Sequence, residues 1–504
     1  MPTIGQILER NARRAPQREA LVYADRRYSY ADLDAAVNRA SRAIAQLGVA
    51  HGDRVALMCP NSDRFVIAYY AVLKLGAIVV PINVRLAVPE LAFQLADSGA
   101  RLLLYDPELA EVARGALAST GVHGLSLAPQ PGAEDLDTMA ERQSSEPPEV
   151  PVDEGDDAQI LYTSGTTGRP KGVLLDHHRV IWTGVNIVVG TGLREGDRLL
   201  HVAPLYHSAE LDLFLMGGTY LAATHVVLRE FAPSAVVSAL TAERITAFFG
   251  VPTMYQFMLR EPRLRQLDLS HWRVGMFGAA PMPPSVVGEL AQALPHLMLY
   301  NLAGLTEMGP GGVFLGGEEL RRHPGAAGRS ILNTEARVVD LDFRDVAVGE
   351  VGELVLRGET LMKGYWRNEE ATAATMRDGW LLTGDMASVD DEGRITLVDR
   401  KKDMIITGGM NVYSVEVENA VVTHPAVADC AVIGVPHAEY GETVTAIVSL
   451  RPGSDLTLAQ LREHCRPLIA DYKIPRRLEI TPIPRNASGK ILKYQLRKTY
   501  GSAR

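Results

Sequence analysis

At 504 residues the chain is longer than one ordinary hydrophobic core organises, so roughly two to four folding units are expected. Its 47% hydrophobic and 22% charged residues exclude a disordered or membrane-embedded chain, and a formal net charge of -9 argues against a broad nucleic-acid-binding surface while leaving room for a local phosphate site. Three cysteines, Cys59, Cys430 and Cys465, cannot build a disulfide framework or a CxxC metal site and fit free thiols in a reducing cytoplasm.

Met1 to Arg14 lacks the basic-then-apolar pattern of a signal peptide. A short strand pair follows around Ala20 to Tyr30, with Asp25-Arg26-Arg27 as its polar turn. Helices and apolar strands then alternate: Ala31 to Leu47, Arg54 to Met58, Asp63 to Leu75, Ile78 to Ile82, Pro89 to Ser98 and Leu102 to Tyr105. That alternation predicts an α/β sheet covered on both faces. The longest apolar stretch, Phe65 to Ile82, contains Lys74, Gly76 and Pro81, so it reads as a core helix and a strand rather than a membrane span. Ala128 to Asp157, rich in Pro, Glu, Gln, Asp and Ser, reads as a surface connection.

A second α/β stretch runs from Arg198 to Leu305, with strands expected at Leu199 to Val202, His225 to Leu228, Ala247 to Val251 and Val274 to Phe277. After Ala336 the pattern changes to short strands and Gly-containing turns, a compact β subdomain. The charged run Asp399 to Asp403 is the natural boundary to a small α+β unit. There Ser414 is expected to cap a helix to about Val422, strands at Cys430 to Val435 and Val444 to Leu450 follow, and Thr457 with Gln460 reads as a capping box. The fold class is therefore α/β. It comprises a large N-terminal domain, 1–398, of two α/β subdomains plus a small β subdomain, a 399–402 link, and a small α+β C-terminal domain, 403–504.

The most informative segment is Thr163-Ser164-Gly165-Thr166-Thr167-Gly168-Arg169-Pro170-Lys171-Gly172, which follows the apolar strand Gln159 to Tyr162 and precedes the apolar Val173 to Leu175. Its glycines let the backbone approach a polyanion, the hydroxyls donate hydrogen bonds, and Lys171 supplies positive charge. It is not the mononucleotide GxxxxGK[ST] loop, because Arg169-Pro170 intervenes before the lysine. A flexible linker would need neither the preceding strand nor the Pro-Lys-Gly ending.

With this loop, Gly304-Leu305-Thr306-Glu307, Gly379 to Asp385, Asp399 to Ile405 and Pro484 to Lys490, the chain resembles the adenylate-forming superfamily of acyl-CoA synthetases, luciferases and peptide-synthetase adenylation domains over essentially its whole length. Among members it looks most like bacterial medium- and long-chain fatty acyl-CoA synthetases. The resemblance implies a two-step reaction in which a carboxylate attacks the α-phosphate of ATP, releasing pyrophosphate, and a thiol displaces AMP. Catalysis of that kind rests on positioning and on stabilising negative charge.

Roles follow residue by residue from the resemblance. Thr163, Ser164, Gly165, Thr166, Thr167, Gly168 and Lys171 would hold phosphate, with Thr306 on the α-phosphate and Glu307 and Thr166 on Mg2+. Asp385, in a turn after Trp380, would accept the ribose hydroxyls, and Arg400 would reach ribose or phosphates. Gly278, Ala279, Ala280, Asn301 and Leu302 would surround the nucleotide. Lys490 would be the catalytic lysine of a mobile C-terminal domain, Lys402 the hinge residue, and Gly408 and Gly409 the lining of the CoA tunnel. Tyr206, His207, Val251 and Gly278 would shape the acyl pocket, a structural histidine being the alternative for His207. One departure stands out: where relatives carry a tyrosine that stacks on adenine, this chain has Ala303.

The activity implied is ATP-dependent acyl-CoA synthesis from a fatty or aryl acid in the cytoplasm, with ATP, Mg2+ and coenzyme A and with no nucleic-acid partner. A carrier protein, an amine or nitrite in place of CoA is the alternative, and a nucleotide-binding sensor is the non-enzymatic one. Chain length of the acid and oligomeric state, a homodimer included, stay open.

Overall fold

In the computed structural model, which describes residues 2–131, 134–163, 169–485 and 491–501, the first helix, Ile4–Arg14, starts where Thr3 and Gln6 form a reciprocal cap. Ser29 and Asp32 do the same for Tyr30–Gln46. Such caps satisfy amide groups a helix start leaves unpaired, each for about 1 kcal/mol. The alternating pattern that follows gives strand Arg54–Met58, helix Asp63–Lys74, strand Ile78–Pro81, helix Val88–Ser98 and strand Ala100–Tyr105.

Contact density divides the chain into two units, residues 1–336 with 356–381, and residues 337–355 with 382–504. The first, larger unit holds two sheets. A seven-stranded sheet runs, by first residue, Gly364, Lys171, Asp157, Ile78, Arg54, Ala100, His123, and its central pairs are parallel. A nine-stranded sheet runs Arg329, Gly312, Met298, Val274, Ala247, Arg198, Thr224, Glu19, Arg26. Its parallel interior strands are buried on both faces, which is why they read as continuous apolar runs. Phe248 and Phe277, from strands of this sheet, pack with Tyr255 and Trp272 in one buried cluster, each burial worth roughly 1.5–3 kcal/mol before entropy is counted.

The second unit contains strand Ile395–Arg400 paired antiparallel with residues 385–389 of strand Trp380–Val389, and a sheet in which Val427–His437 and Gly441–Leu450 form a long antiparallel pair with Arg477–Ile480 parallel beside it. Its core is built on Ile405, Val417, Val432, Val444 and Leu461. The expected link at 399–402 falls inside this unit.

Three local expectations are corrected. The segment expected to be only a surface connection contains helix Leu136–Glu141, capped by buried Asp135. Asp385 lies within a strand, not a turn. Ser414 is the first residue of helix Ser414–Val422 rather than its cap, because both its amide and its hydroxyl are spent on Asp399. The Thr457–Gln460 box is present on Leu458–Cys465. All three cysteines are buried free thiols, and among the described residues no helix is long and apolar enough to cross a membrane.

Candidate active site

Strands Asp157–Thr163 and Lys171–Asp176 form an antiparallel hairpin whose last register pair is Thr163 opposite Lys171. Ser164, Gly165, Thr166, Thr167 and Gly168, the middle of the expected phosphate loop, lie outside the described residues, as does Lys490. What the hairpin presents is therefore its two rims. Thr163 Oγ1 donates to Glu307 Oε1 at 3.4 Å, and Tyr365 OH donates to the same oxygen at 2.8 Å. The ammonium of Lys171 sits 4.7 Å from the Tyr365 ring centroid, a cation–π distance. Burial, with the neighbouring Glu307 charge and hydrogen bond, pushes the Tyr365 phenol well above its usual range, so it stays a donor. Among the described residues Lys171 and Glu307 form no ion pair; Tyr365 stands between them, leaving cation and carboxylate for other partners.

Glu307 is held by its backbone as well. It lies in the short turn Thr306–Met308 after strand Met298–Gly304, and its carbonyl accepts from Met362 N at 2.9 Å while Thr360 Oγ1 bonds Met308 O at 2.8 Å. Gly309 ends the turn with φ 54°, and a Cβ there would lie 2.4 Å from Thr183 Oγ1. Only glycine fits.

Thr306 Oγ1 is 3.0 Å from Ser208 Oγ, which ties the turn to Tyr206-His207-Ser208. The Tyr206 and His207 rings are 4.7 Å apart. Burial lowers the His207 imidazole to about 4, so it is neutral at physiological pH, and its Nε2 is buried without a hydrogen-bond partner among the described residues. A neutral ring with one open nitrogen suits a polar ligand atom better than it suits a packing role.

On the nucleotide side, Gly278 ends strand Val274–Gly278 opposite Leu302 in parallel register, and a Cβ on it would meet Leu302 O at 2.5 Å. Ala279 follows with φ 66°, a left-handed conformation that L-residues other than Asn and Asp rarely adopt, and both it and Ala280 are exposed. Asn301 uses its amide on Ala326 O at 3.1 Å, and the Leu302 side chain is buried in the core, so this pair offers a ligand its backbone edge more than its side chains. Val251 is the half-buried residue preceding helix Pro252–Leu259.

In the second unit Asp385 and Arg400 face each other across the strand pair, Oδ1 to Nε at 2.6 Å. Lys401 Nζ reaches Glu353 at 2.8 Å, whereas Lys402 is exposed. Gly408 and Gly409, with φ 57° and 78°, form the exposed turn between Ile405–Thr407 and Met410–Val412.

Among these residues, Thr163 meets Glu307, Lys171 lies against Tyr365, which bonds Glu307, and Thr306 is adjacent to Glu307 in the turn. Tyr365 and Ser208 complete the arrangement, and no spacing rule points to either as a ligand. Tyr365 lies nearly sixty positions from Glu307 in a two-residue strand, Gly364–Tyr365, that pairs with Val173 and Leu174. The only signal was the apolar Gly-Tyr-Trp run itself.

The model of the AMP-binding enzyme family matches residues 8–366, and that of the AMP-binding enzyme C-terminal domain matches residues 416–490. A feruloyl-CoA synthase of an Amycolatopsis species is 40% identical over 500 residues, covering 99% of both chains. A long-chain-fatty-acid–CoA ligase of Mycobacterium tuberculosis is 36% identical and covers 100% of this chain and 99% of its own. Among solved structures, ATP-bound MatB from Rhodopseudomonas palustris superposes with a TM-score of 0.91 at 30% identity, covering 99% of each chain. The o-succinylbenzoate CoA synthetase of Bacillus subtilis, in complex with its acyl-adenylate intermediate, gives 0.89 at 30% identity, covering 99% of this chain and 98% of its own.

Proposed function

The chain belongs to the AMP-binding enzyme family and is an ATP-dependent, AMP-forming acid–CoA ligase that works through an acyl-adenylate, and we propose that its acid is a fatty or aryl carboxylic acid with an uncharged tail. The observation that carries the reading is the convergence of Thr163 and Tyr365 on one oxygen of Glu307 beside the Lys171 ammonium. That arrangement places a carboxylate for a cation and an ammonium for a phosphate at one rim.

In the first half-reaction a substrate carboxylate oxygen attacks the α-phosphorus and the α–β bridging oxygen leaves with pyrophosphate. Lys171 offsets the phosphate charge, Thr306 donates its hydroxyl to the α-phosphate, and Lys490 brings a second ammonium to the attacking and transferring oxygens. In the second, the thiolate of coenzyme A attacks the acyl carbon and AMP leaves. His207, neutral and open at Nε2, faces these steps as a hydrogen-bonding group rather than a charge.

Mg2+ fits Glu307. Among the described residues no group of three or more His, Cys, Asp or Glu side chains is gathered to cage a metal, and magnesium is commonly held by one or two carboxylates with phosphate oxygens and water. Glu307, with Thr166, would hold it, and bound there it neutralises developing phosphate charge. Asp385 takes the ribose hydroxyls with Arg400 beside it. The 399–402 segment is the hinge between a large domain, 1–398, and a mobile one, 403–504, that carries Lys490, Gly408 and Gly409. The apolar character around Val251, Gly278 and Tyr206, together with the aryl and fatty acids named for the relatives, supports the acid class. A cytoplasmic, fatty-acid-metabolising enzyme, monomeric or homodimeric, is the corresponding setting. No observation favours a carrier-protein, amine or nitrite acceptor.

The test is a panel of fatty, aryl and dicarboxylic acids with ATP and Mg2+, with and without CoA and nitrite, following pyrophosphate and product mass. Acid-dependent pyrophosphate release with a CoA-dependent thioester supports the proposal. Turnover confined to nitrite, or to dicarboxylic acids, sinks it.

A further inference from the structure

The segment after His207 and Ser208 contains residues that an apolar acyl pocket does not call for. Ala209–Leu215 is a π-helix, a form that recurs at functional sites, and it carries two carboxylic acids, Glu210 and Asp212, both with 0% exposure. An isolated buried carboxylate is costly, so each is expected to be neutralised or bonded.

Glu210 Oε1 lies 2.7 Å from His201 Nδ1, and His201 Nε2 lies 2.9 Å from His225 Nδ1. His225 Nε2 is 3.2 Å from Thr219 Oγ1, which is 2.6 Å from Tyr70 OH. On the other side of the π-helix, Gln159 Nε2 donates to Asp212 Oδ1 at 2.6 Å, and Tyr69 OH donates to Gln159 Oε1 at 3.1 Å. Tyr69 and Tyr70 are neighbours on helix Asp63–Lys74, so the two series close into a ring of buried side chains joined by that helix at one end and the π-helix at the other.

Counting protons orients the ring. Thr219 has one hydroxyl proton and gives it to Leu215 O at 2.9 Å, so Tyr70 and His225 Nε2 both donate to Thr219. His225 Nδ1 must then accept from His201 Nε2, and one proton is left for His201 Nδ1 and Glu210 to share. Whichever of the two holds it, the pair is neutral overall, and a neutral pair can be fully buried at modest cost.

The ring touches the active site at two places. The carbonyl of His207 accepts from Glu210 N at 3.1 Å and Leu211 N at 3.0 Å, and Ser208 bonds Thr306. Gln159 lies in the strand that ends at Thr163, the residue that bonds Glu307. We propose that Asp212 and Glu210 are positioning residues for acid activation: through the ring they set His207 and Ser208 against the strand that carries Thr163. The inference rests on the acid-activating reading above.

The test uses the full chain and the panel acid that the wild type turns over fastest. Wild-type failure with every acid would count against the functional reading, not this one. Misplacing a reacting group by about 1 Å can cost ~100-fold, so Asp212→Leu is expected to lower kcat for pyrophosphate release by ~10- to 100-fold while the KM for ATP stays within about twofold. Asp212→Asn, whose carboxamide oxygen still accepts from Gln159, restores kcat to within about threefold of wild type. Tyr69→Phe removes one hydroxyl, leaves the buried Gln159 Oε1 without its donor and is expected to fold; a ~3- to 10-fold lower kcat with a Tm lower by only a few degrees is the expected result. It decides the matter alone if Asp212→Leu does not fold. The proposal is overturned by wild-type kcat in Tyr69→Phe, by equal losses in Asp212→Asn and Asp212→Leu, or by losses in which the KM for ATP rises in step with the fall in kcat.

Discussion

The turn at Thr306–Met308 and the strand pair around Asp385 both present a carboxylate for the nucleotide, but they hold it differently. Glu307 receives two hydroxyls and is anchored through its own carbonyl, inside the larger unit. Asp385, in the second unit, is engaged by the guanidinium of Arg400, whose side chain is 34% exposed, against 17% for the aspartate. An exposed ion pair is worth about 0–1 kcal/mol, and this one is only partly exposed, so Asp385 is held by a cation where Glu307 is held by neutral hydroxyls. The Gly408-Gly409 turn is exposed, and among the described residues nothing lies within 4 Å of where a Cβ at Gly409 would be. One carboxylate is set by neutral donors and its own backbone; the other is set by a charged partner on the facing strand.

The largest effect should come from the second unit. Lys490→Ala is expected to lower adenylation from acid and ATP by ~1000-fold, as loss of a charge-stabilising group does, and to spare thioester formation from a supplied acyl-adenylate. Equal losses in the two half-reactions would break the comparison. Glu307→Gln keeps the shape and the two hydroxyl partners but removes the charge, and pyrophosphate release is expected to fall ~100-fold with partial recovery at high Mg2+. If added Mg2+ leaves the variant unchanged, the carboxylate does not hold the metal. Gly409→Leu forces a left-handed backbone on a branched residue at about 1–2 kcal/mol in an exposed turn, too little to unfold the unit. It should leave pyrophosphate release within about threefold and reduce CoA transfer by ~10-fold or more. Unchanged thioester formation would remove this turn from the tunnel.

Elements whose signal is local were legible in the sequence. Arg54–Met58 is a buried parallel strand and reads as one, and the Thr457–Gln460 cap is a four-residue pattern. The strand Gln159 to Tyr162 ahead of the glycine-rich stretch was likewise legible, as part of Asp157–Thr163. What was not legible depends on partners distant in the chain. Ser414 reads as a cap until Asp399 takes its hydroxyl, and Asp385, read as a turn residue after Trp380, lies in a strand that its pairing with Arg400 extends. Tyr365 completes Glu307 from a two-residue strand that no periodicity can detect. Glu210 and Asp212 carry no local signal of their partners, because His201 and Gln159 come from strands of two different sheets.

Ala303 carries the smallest prediction and the one that most sharpens the comparison. It is half-buried on strand Met298–Gly304, opposite Val313, on the face shared with Asn301. A tyrosine stacked on adenine contributes about 0.5–1.5 kcal/mol beyond area burial, so Ala303→Tyr is expected to lower the apparent KM for ATP by ~2- to 10-fold. Because the base does not change in the reaction, that gain is uniform across ground and transition states and kcat should stay the same. A raised kcat would mean that the ring moves the Thr306-Glu307 turn that follows it, and the anchoring of Glu307 by Met362 and Tyr365 would then be looser than their bonds imply. An unchanged KM would mean that adenine is already packed by other groups, with the exposed left-handed Ala279 the first to replace.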